Sequence, residues 1–181
     1  MLQSTENKRI FLALWPGEET RQQLLEAQKR LKREPVLQTA REVNPDNLHM
    51  TLQFIGSISA EVIQKLVTCL DKVDCSGFEM KVTTMGCFPK PRVVWLGLQT
   101  IPPELIQLEQ HTAACVEQCV EGYQRIPYRP HITLFRKAKI SPEQDGSPEI
   151  SWRVQSFALV ESKSHAEGVQ YHVLKQWLLS E

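Results

Sequence analysis

His49-Met50-Thr51-Leu52 and His131-Ile132-Thr133-Leu134 are two copies of one His-x-Thr-Leu motif, and they lie 82 positions apart. On a β-strand, side chains two residues apart point to the same face, so the His and Thr of each copy share a face. A single copy would usually mark only a half-buried strand, because Thr is common in strands. The repetition instead predicts two equivalent strands with one chemical purpose.

The repeat extends beyond the two motifs. When the apolar segment 10–14 is shifted by 82 positions, it falls on residues 92–96, which also have the composition of a strand. A proline-led helix bearing glutamates follows each segment, and a motif strand follows each helix. This order predicts an α+β fold with two lobes related by an approximate two-fold axis, antiparallel sheets around a central cleft, and helices outside. We expect one bilobal domain over residues 1–181, with interleaved lobes that each carry one motif.

The other elements are predicted from apolar periodicity, helix caps and turn residues. Gly56 is predicted to end the first motif strand, and Ser59 to cap the helix that follows. The predicted strands are 10–15, 48–55, 77–88, 92–98, 128–135, 152–161 and 169–177. The predicted helices begin near residues 16, 59 and 102 and end near 33, 73 and 121, and the predicted loops are 34–47 and 139–150.

Composition limits the kinds of partner. The formal net charge is zero, so no global basic field attracts nucleic acid, and any contact with RNA should be local. The chain has no apolar run near the ~20 residues that a membrane span needs. Its polar start, residues 1–9, does not resemble a signal peptide. The five cysteines form no CxxC pair and are odd in number, so we expect a reducing, cytoplasmic setting.

Two His-x-Thr pairs suit acid–base chemistry on a phosphate ester. Imidazole has an unperturbed pKa of about 6.5, so near neutral pH one ring can be neutral while the other is protonated. Such a pair supplies one general base and one general acid. The hydroxyls of Thr51 and Thr133 can donate hydrogen bonds to the non-bridging phosphate oxygens. This scheme requires no metal and no cofactor.

At these residues the chain resembles the 2H phosphoesterase superfamily, and within it the bacterial RNA 2′,3′-cyclic phosphodiesterase, or 2′-5′ RNA ligase-like, family. The resemblance is carried by residues 47–56, 92–97 and 129–136 and extends over nearly the whole chain. It implies a bilobal α+β fold and hydrolysis of 2′,3′-cyclic phosphates on RNA to 2′-phosphates. It also implies a reversible, ATP-independent 2′-5′ ligation.

The resemblance further implies roles for the two histidines. His49 would be the proton donor to the departing O3′, and His131 the proton acceptor that activates water. The residues alone do not order these roles, because the two motifs are chemically equivalent. We expect RNA ends or nucleotides with a 2′,3′-cyclic phosphate as partners, no membrane, and a monomer. The alternatives are a phosphodiesterase for 2′-5′ oligoadenylate or another cyclic nucleotide, and a catalytically silent module that binds nucleotides or RNA ends.

Phe54 and Arg136 each follow a motif histidine by five residues. Phe54 could stack on a base, and Arg136 could hold a phosphate oxygen or a nucleotide edge. Strict alternation places both on the face opposite the histidines, so a bulge or turn must bring them round. Without one, they would be a core Phe and a solvated Arg.

Several other polar residues have simpler interpretations. His111, Cys115 and Cys119 share one helix face and could bind a metal, but a partly buried face is the simpler explanation. The basic residues 29–33 could guide RNA, although their position at a helix C-terminus also accounts for them. We expect surface or structural roles for His165 and His172, and core positions for Trp95 and Trp152.

Overall fold

The computed structural model describes residues 6–138, 148–166 and 168–181. Two short 3-10 helices, Pro35–Leu37 and Pro45–Asn47, flank the second strand. Within the described ranges the strands are β1 (Lys8–Leu14), β2 (Arg41–Glu42), β3 (Met50–Ile58), β4 (Phe78–Phe88), β5 (Val93–Leu98), β6 (His131–Arg136), β7 (Ile150–Val154), β8 (Ser156–His165) and β9 (Gly168–Leu178). The helices are α1 (Glu18–Leu31), α2 (Ala60–Leu70) and α3 (Pro103–Cys119).

The strands form one antiparallel sheet in the order β7-β4-β5-β6-β3-β1-β8-β9, and β2 pairs with the outer end of β6. The two motif strands, β3 and β6, are neighbours at its centre, joined by the cross-strand pair Met50–Ile132. We call β3, β1, β8 and β9 the first half, and β6, β5, β4 and β7 the second half. Each half contains one strand–helix–strand unit that ends in a motif strand, which confirms the predicted bilobal α+β fold.

The helices connect the two halves. α1 follows β1 of the first half but packs against β7 of the second, while α3 precedes β6 of the second half and packs against β3 of the first. Leu24 of α1, Leu108 of α3 and Leu134 of β6 are fully buried in one continuous apolar core. Because each helix covers a strand of the other half, the halves share a single core on one face of the sheet.

α2 packs against α3, and a disulfide between Cys69 and Cys115 joins them. The pairing was not predicted, because nothing in the sequence shows that these two helices are neighbours. It also changes the interpretation of the possible metal ligands on α3. Cys115 is bonded to Cys69, His111 Nδ1 lies 3.4 Å from Cys75 Sγ, and Cys119 is a free thiol.

The structure confirms Ser59 as an N-cap, since its hydroxyl accepts a hydrogen bond from the Val62 N–H. Gly56 does not end the first motif strand as predicted. β3 continues to Ile58, because Gly56 adopts a φ of +93° within the strand and still pairs with Ile10. Positive φ is readily available to glycine, so this residue bends the strand without terminating it.

Two further boundaries differ from the sequence predictions. The predicted loop 34–47 contains β2, whose two residues gain partners only because β6 lies beside them. The predicted strand 152–161 is two strands, which break at Gln155: β7 pairs with β4, whereas β8 pairs with β1 and β9. Most of the predicted loop 139–150 lies outside the described residues. None of the helices in the described ranges has the length and apolar character needed to cross a bilayer.

Candidate active site

A β-bulge interrupts the first motif strand at its leucine. Leu12 of β1 pairs with Gln53, but the next residue, Ala13, pairs with Thr51, so the register passes over Leu52. A bulge of this kind places two residues opposite one and moves every later side chain to the other face of the strand. The leucine stays in the core, where it is 4% exposed.

The second motif strand has the same bulge at the equivalent leucine. Val94 of β5 pairs with Phe135, and its neighbour Trp95 pairs with Thr133, so Leu134 is passed over. Burial along the two motifs is also identical. From the histidine onward, six successive residues are half-buried, buried, half-buried, buried, buried and exposed. The two-fold relation between the halves therefore includes a local irregularity of the backbone as well as the order of elements.

The bulges bring Phe54 and Arg136 to the face that carries the histidines. Phe54 pairs with Phe11, which shares a face with Ala13 and therefore with Thr51. By the same logic Arg136, which pairs with Val93, shares the face of Thr133. Phe54 is 59% exposed there, so it is not a core residue. In both halves, the bulge thus brings to the histidine-bearing face a side chain that strict alternation would place on the opposite face.

Both histidine rings are held in the same tautomer. Nδ1 of His49 lies 2.6 Å from the carbonyl oxygen of Asn47, and Nδ1 of His131 lies 2.6 Å from that of Arg129. A carbonyl oxygen can only accept, so Nδ1–H donates in each ring and Nε2 remains for the chemistry. In the first motif, Nε2 of His49 is 3.1 Å from the hydroxyl of Thr51, which can donate to it.

The two rings have different aromatic surroundings. Trp15 stacks on His49 with ring centroids 5.3 Å apart and planes 6° from parallel, and Phe11 and Tyr171 pack against the same ring at 5.1 and 5.2 Å. His131 contacts the edge of Phe88 at 5.1 Å, with a more distant contact to Trp95 at 6.3 Å. His49 therefore has an aromatic wall on three sides, and His131 is more open.

This burial lowers the pKa of both imidazoles. It lowers the pKa of His49 to about 4, against the opposing effect of the Asn47 carbonyl, and the charges of Arg136 and His131 lower it further. Burial also lowers the pKa of His131, opposed by the Arg129 carbonyl and assisted by the charge of Arg136. Desolvation thus acts against the protonated form of both rings in the free protein, so the expected state with one protonated ring needs a nearby anion.

The charge of Arg136 acts on both rings, which places this side chain near the two histidines together. A groove of about 640 Å³ opens beside His49, and His131 is not among the residues that line it. His49 from the first half lines it together with Thr133 and Arg136 from the second half. Residues from both motifs thus border one space, where an anion could reach the imidazole of His49, the hydroxyl of Thr133 and the guanidinium of Arg136.

Trp95 is not a core residue as predicted, whereas Trp152 is fully buried as expected. Trp95 is half-buried on the histidine-bearing face, where its ring covers Gly86 and Gly97. A Cβ at Gly86 would come within 2.3 Å of that ring, so a side chain there would displace it.

Trp15, Tyr171 and Phe88 were not among the predicted site residues. One signal was available, since the shift of 82 positions equates Ala13 with Trp95 and Trp15 with Gly97. The tryptophan on the strand that flanks each histidine strand therefore lies two positions later in the first half, at Trp15, than in the second half, at Trp95.

Of the remaining residues considered from the sequence, some line this groove and others pair with residues elsewhere. Lys29 and His165 line the groove, although both had simpler interpretations from sequence. Lys32 instead donates to the Ala40 carbonyl and pairs with Glu42. His172 lies in β9, where it pairs across the strands with Glu161.

A buried polar network supports the first motif strand from behind. Gln53 donates to the backbone carbonyl and the carboxylate of Glu109 on α3, both at 3.0 Å, and accepts from the hydroxyl of Tyr123 at 2.6 Å. Arg125 donates to both carboxylate oxygens of Glu109, whose side chain is 4% exposed. The network fixes β3 to α3 just beyond the bulge.

Comparison with known proteins identifies similar chains. The family described as LigT like Phosphoesterase matches residues 14–95. The RNA 2′,3′-cyclic phosphodiesterase of Escherichia coli (strain K12) is 32% identical, covering 98% of this chain and 99% of the relative. The crystal structure of E. coli LigT in apo form superposes with a TM-score of 0.83 at 33% identity, covering 97% and 99% of the two chains. That of E. coli LigT complexed with phosphate gives 0.81 at 30% identity, over the same shares.

Proposed function

Because the chain belongs to the LigT-like phosphoesterase family, we propose that it is a metal-independent phosphodiesterase that opens 2′,3′-cyclic phosphates on RNA ends or nucleotides and leaves a 2′-phosphate. The name of the E. coli relative supports this substrate class. We further propose that residues 1–181 act as one bilobal domain. The exchange of α1 and α3 between the halves supports this unit, because neither half would keep its core alone.

The observation that carries the proposal is the meeting of the two motifs at neighbouring strands. Each histidine offers Nε2 and is oriented by a carbonyl, and one groove contains residues from both motifs. We assign His49 as the proton donor to the departing O3′ and His131 as the acceptor that takes a proton from water. Thr51 and Thr133 would donate hydrogen bonds to the non-bridging oxygens of the phosphate.

Arg136 and Phe54 complete the proposed site. Arg136 would pair with a phosphate oxygen, because its charge already reaches both histidines. Phe54 offers an exposed ring on the same face, suited to stacking on the base of the terminal nucleotide. In the free protein the low pKa of His49, about 4, opposes its role as the proton donor. A bound phosphodiester anion would raise the pKa of the nearby imidazoles, so the acid would gain its proton when substrate is present.

Turnover of a 2′,3′-cyclic mononucleotide tests the assignment. His49→Ala and His131→Ala should each lower kcat by at least about 100-fold, since each removes one proton-transfer group, while the circular dichroism spectrum stays unchanged. Phosphorus NMR spectroscopy should identify the product as the 2′-phosphate. Near-wild-type turnover by either variant, or a 3′-phosphate product, would contradict the mechanism.

Incubation with EDTA separates this chemistry from a metal-dependent one. Activity should be unchanged, because the proposed scheme uses only protein groups, and loss of activity with rescue by zinc would contradict it. Ligation follows from the same groups, because it is the same displacement of O3′ by a different nucleophile. An RNA 5′-hydroxyl in place of water would give a 2′-5′ bond, which should be detectable when cyclic-phosphate and 5′-hydroxyl ends are supplied at high concentration.

We also propose that the chain acts as a monomer in the cytoplasm. The disulfide between Cys69 and Cys115 is the structural feature that runs against a reducing setting. Trapping thiols with an alkylating agent at the moment of lysis tests this part of the proposal. Five alkylated cysteines would support a reducing setting, and three would contradict it, because only Cys75, Cys87 and Cys119 are free in the structure.

A further inference from the structure

Two arginines face each other at the edge of the groove. Arg41 in β2 is the direct cross-strand partner of Arg136 in β6. Like charges at such positions repel, and their side chains stand only about 5 Å apart at Cβ. Within the described residues no carboxylate pairs with either guanidinium, and the adjacent Glu42 pairs with Lys32. Among the described residues, no carboxylate thus neutralises the repulsion between these two charges.

The turn between β8 and β9 leaves space for Arg41. Gly168 adopts a φ of +137°, and a Cβ there would lie 2.8 Å from Nη2 of Arg41. A side chain at this position would be strained and would also displace the guanidinium. Arg41 therefore lies against bare backbone at the groove, which it lines together with Arg136, Asn44 and Tyr171.

Two guanidinium groups side by side, neither of them paired with a carboxylate in the part of the chain that the structure describes, are suited to two neighbouring negative charges. Arg136 lines the groove with His49 and Thr133, where the proposed function places the cyclic phosphate. Arg41 lies on the adjacent strand β2, directly opposite Arg136. A single-stranded nucleic acid presents its next phosphate in this way, and the zero net charge of the chain makes such local contacts the main electrostatic attraction.

We propose that Arg41 binds the phosphodiester on the 5′ side of the nucleotide that carries the cyclic phosphate. This inference rests on the proposed function and specifies its substrate class. The substrate is the end of an RNA strand, with at least one internal phosphodiester, in preference to a mononucleotide. Arg136 and Arg41 then form a track for two successive phosphates, and the repulsion between them is relieved when RNA binds.

The test compares two substrates in two variants. The substrates are a trinucleotide with a 2′,3′-cyclic phosphate end and a 2′,3′-cyclic mononucleotide. Arg41→Ala should lower the ratio of kcat/KM for the trinucleotide to kcat/KM for the mononucleotide by about 10- to 100-fold. This is the effect expected for the loss of one charge-assisted hydrogen bond. Arg41→Lys should recover part of the loss. Arg153→Ala is the matched control, because Arg153 is also an exposed strand arginine, in β7 at the far edge of the sheet, and should leave the ratio unchanged.

Salt dependence gives a second readout that a loss of stability would not change. Each phosphate contact to a single strand contributes a slope of about −0.7 to log affinity against log salt concentration. The slope for a 2′-phosphate-terminated trinucleotide, measured by fluorescence anisotropy, should become less steep by about this amount in Arg41→Ala. It should not change in Arg153→Ala.

Two outcomes would overturn the inference: a substrate ratio that is unchanged in Arg41→Ala, including the case of an equal loss on both substrates, or a wild-type protein that prefers the mononucleotide. The binding experiment separates this inference from the proposed function. If the wild type turns over neither substrate, the proposed function fails, and the anisotropy slopes still decide whether Arg41 contacts an internal phosphate.

Discussion

At the scale of single residues, the two histidines are alike in their motifs and different in their surroundings. Each donates Nδ1–H to the carbonyl two residues earlier in the chain. The difference comes from residues outside the motifs, because Trp15 and Tyr171 enclose His49 whereas Phe88 leaves His131 more open. Burial accordingly lowers the pKa of His49 to about 4. The sequence of the motifs cannot assign the acid and the base, but this packing gives the two rings distinct proton affinities.

The lowered pKa values predict an acidic optimum for kcat/KM. This parameter reports the free enzyme, in which the productive form has one protonated and one neutral ring. Any form with one protonated ring is most populated between the two pKa values, and both pKa values lie below that of a free imidazole, so the optimum should lie below about pH 6.5. The optimum of kcat should lie at higher pH, because bound phosphate favours protonated imidazole. Steady-state kinetics from pH 4 to 9 would check this, and a kcat/KM optimum above pH 7 would contradict it.

Trp15→Ala should move the acidic limb of that profile. Removing the stacked indole admits water to His49, so its pKa rises toward the ordinary value of about 6.5 and the acidic limb shifts to higher pH. The matched control is Trp177→Ala, which removes an indole stacked on Phe157 at 5.0 Å in another part of the sheet. The control should leave the limb in place. An unmoved limb in Trp15→Ala would show that the indole does not set the proton affinity of His49.

At the scale of secondary-structure elements, the motif strands show what a sequence pattern can and cannot predict. Alternation correctly places His49 and Thr51 on one face, because the strand is regular up to that point. It fails beyond Leu52, because a bulge depends on how the neighbouring strand is aligned, and β1 is 38 or more residues away in sequence. The need for a bulge could be inferred from Phe54 and Arg136, but its position could not. The same limit explains β2, which exists only through its pairing with β6.

The order of the strands in the sheet was harder to predict from the sequence than the positions of the strands along the chain. The strand–helix–strand repeat was readable because it is local in sequence, and the structure confirms it. The pairing of β8 with β1 could not be predicted. The segments around Trp152 and Phe157 have the same kind of apolar pattern, although they lie in two strands with different partners. Trp95 was misassigned for a related reason. An apolar ring that lines a site and one that fills a core look alike until the facing glycines are known.

The network behind β3 predicts a stability effect at the level of an element. Arg125→Ala removes both donors to the buried carboxylate of Glu109, which also holds Gln53. The loss should be about 1–2 kcal/mol of unfolding free energy, in the lower part of the range for charged hydrogen bonds because Arg125 is 41% exposed. Urea denaturation measures it. Lys81→Ala is the control, since its pair with Glu149 is 68% exposed on both sides and should contribute less than about 0.5 kcal/mol.

At the scale of the whole molecule, the candidate site depends on the join between the halves. β3 and β6 share the cross-strand pair Met50–Ile132, and the groove takes His49 from one half and Thr133 and Arg136 from the other. The two motif strands therefore pair over only a short stretch of backbone, at the place where the candidate catalytic residues lie. The helices compensate from the opposite face, because α1 and α3 each cover a strand of the other half. A ligand that contacts both motifs would add a second connection on the open face.

Inorganic phosphate should therefore stabilise the folded protein. A ligand that binds only the folded state, at a concentration a hundredfold above its dissociation constant, adds about 2.7 kcal/mol. For a chain of this size that corresponds to a rise in Tm of roughly 5–10 °C. Differential scanning calorimetry should show the rise with phosphate and not with chloride at equal ionic strength. His131→Ala and Arg136→Ala should each reduce it, because each removes contacts from the second half alone. A full rise in both variants would place the anion elsewhere, and the two motifs would then not share a phosphate.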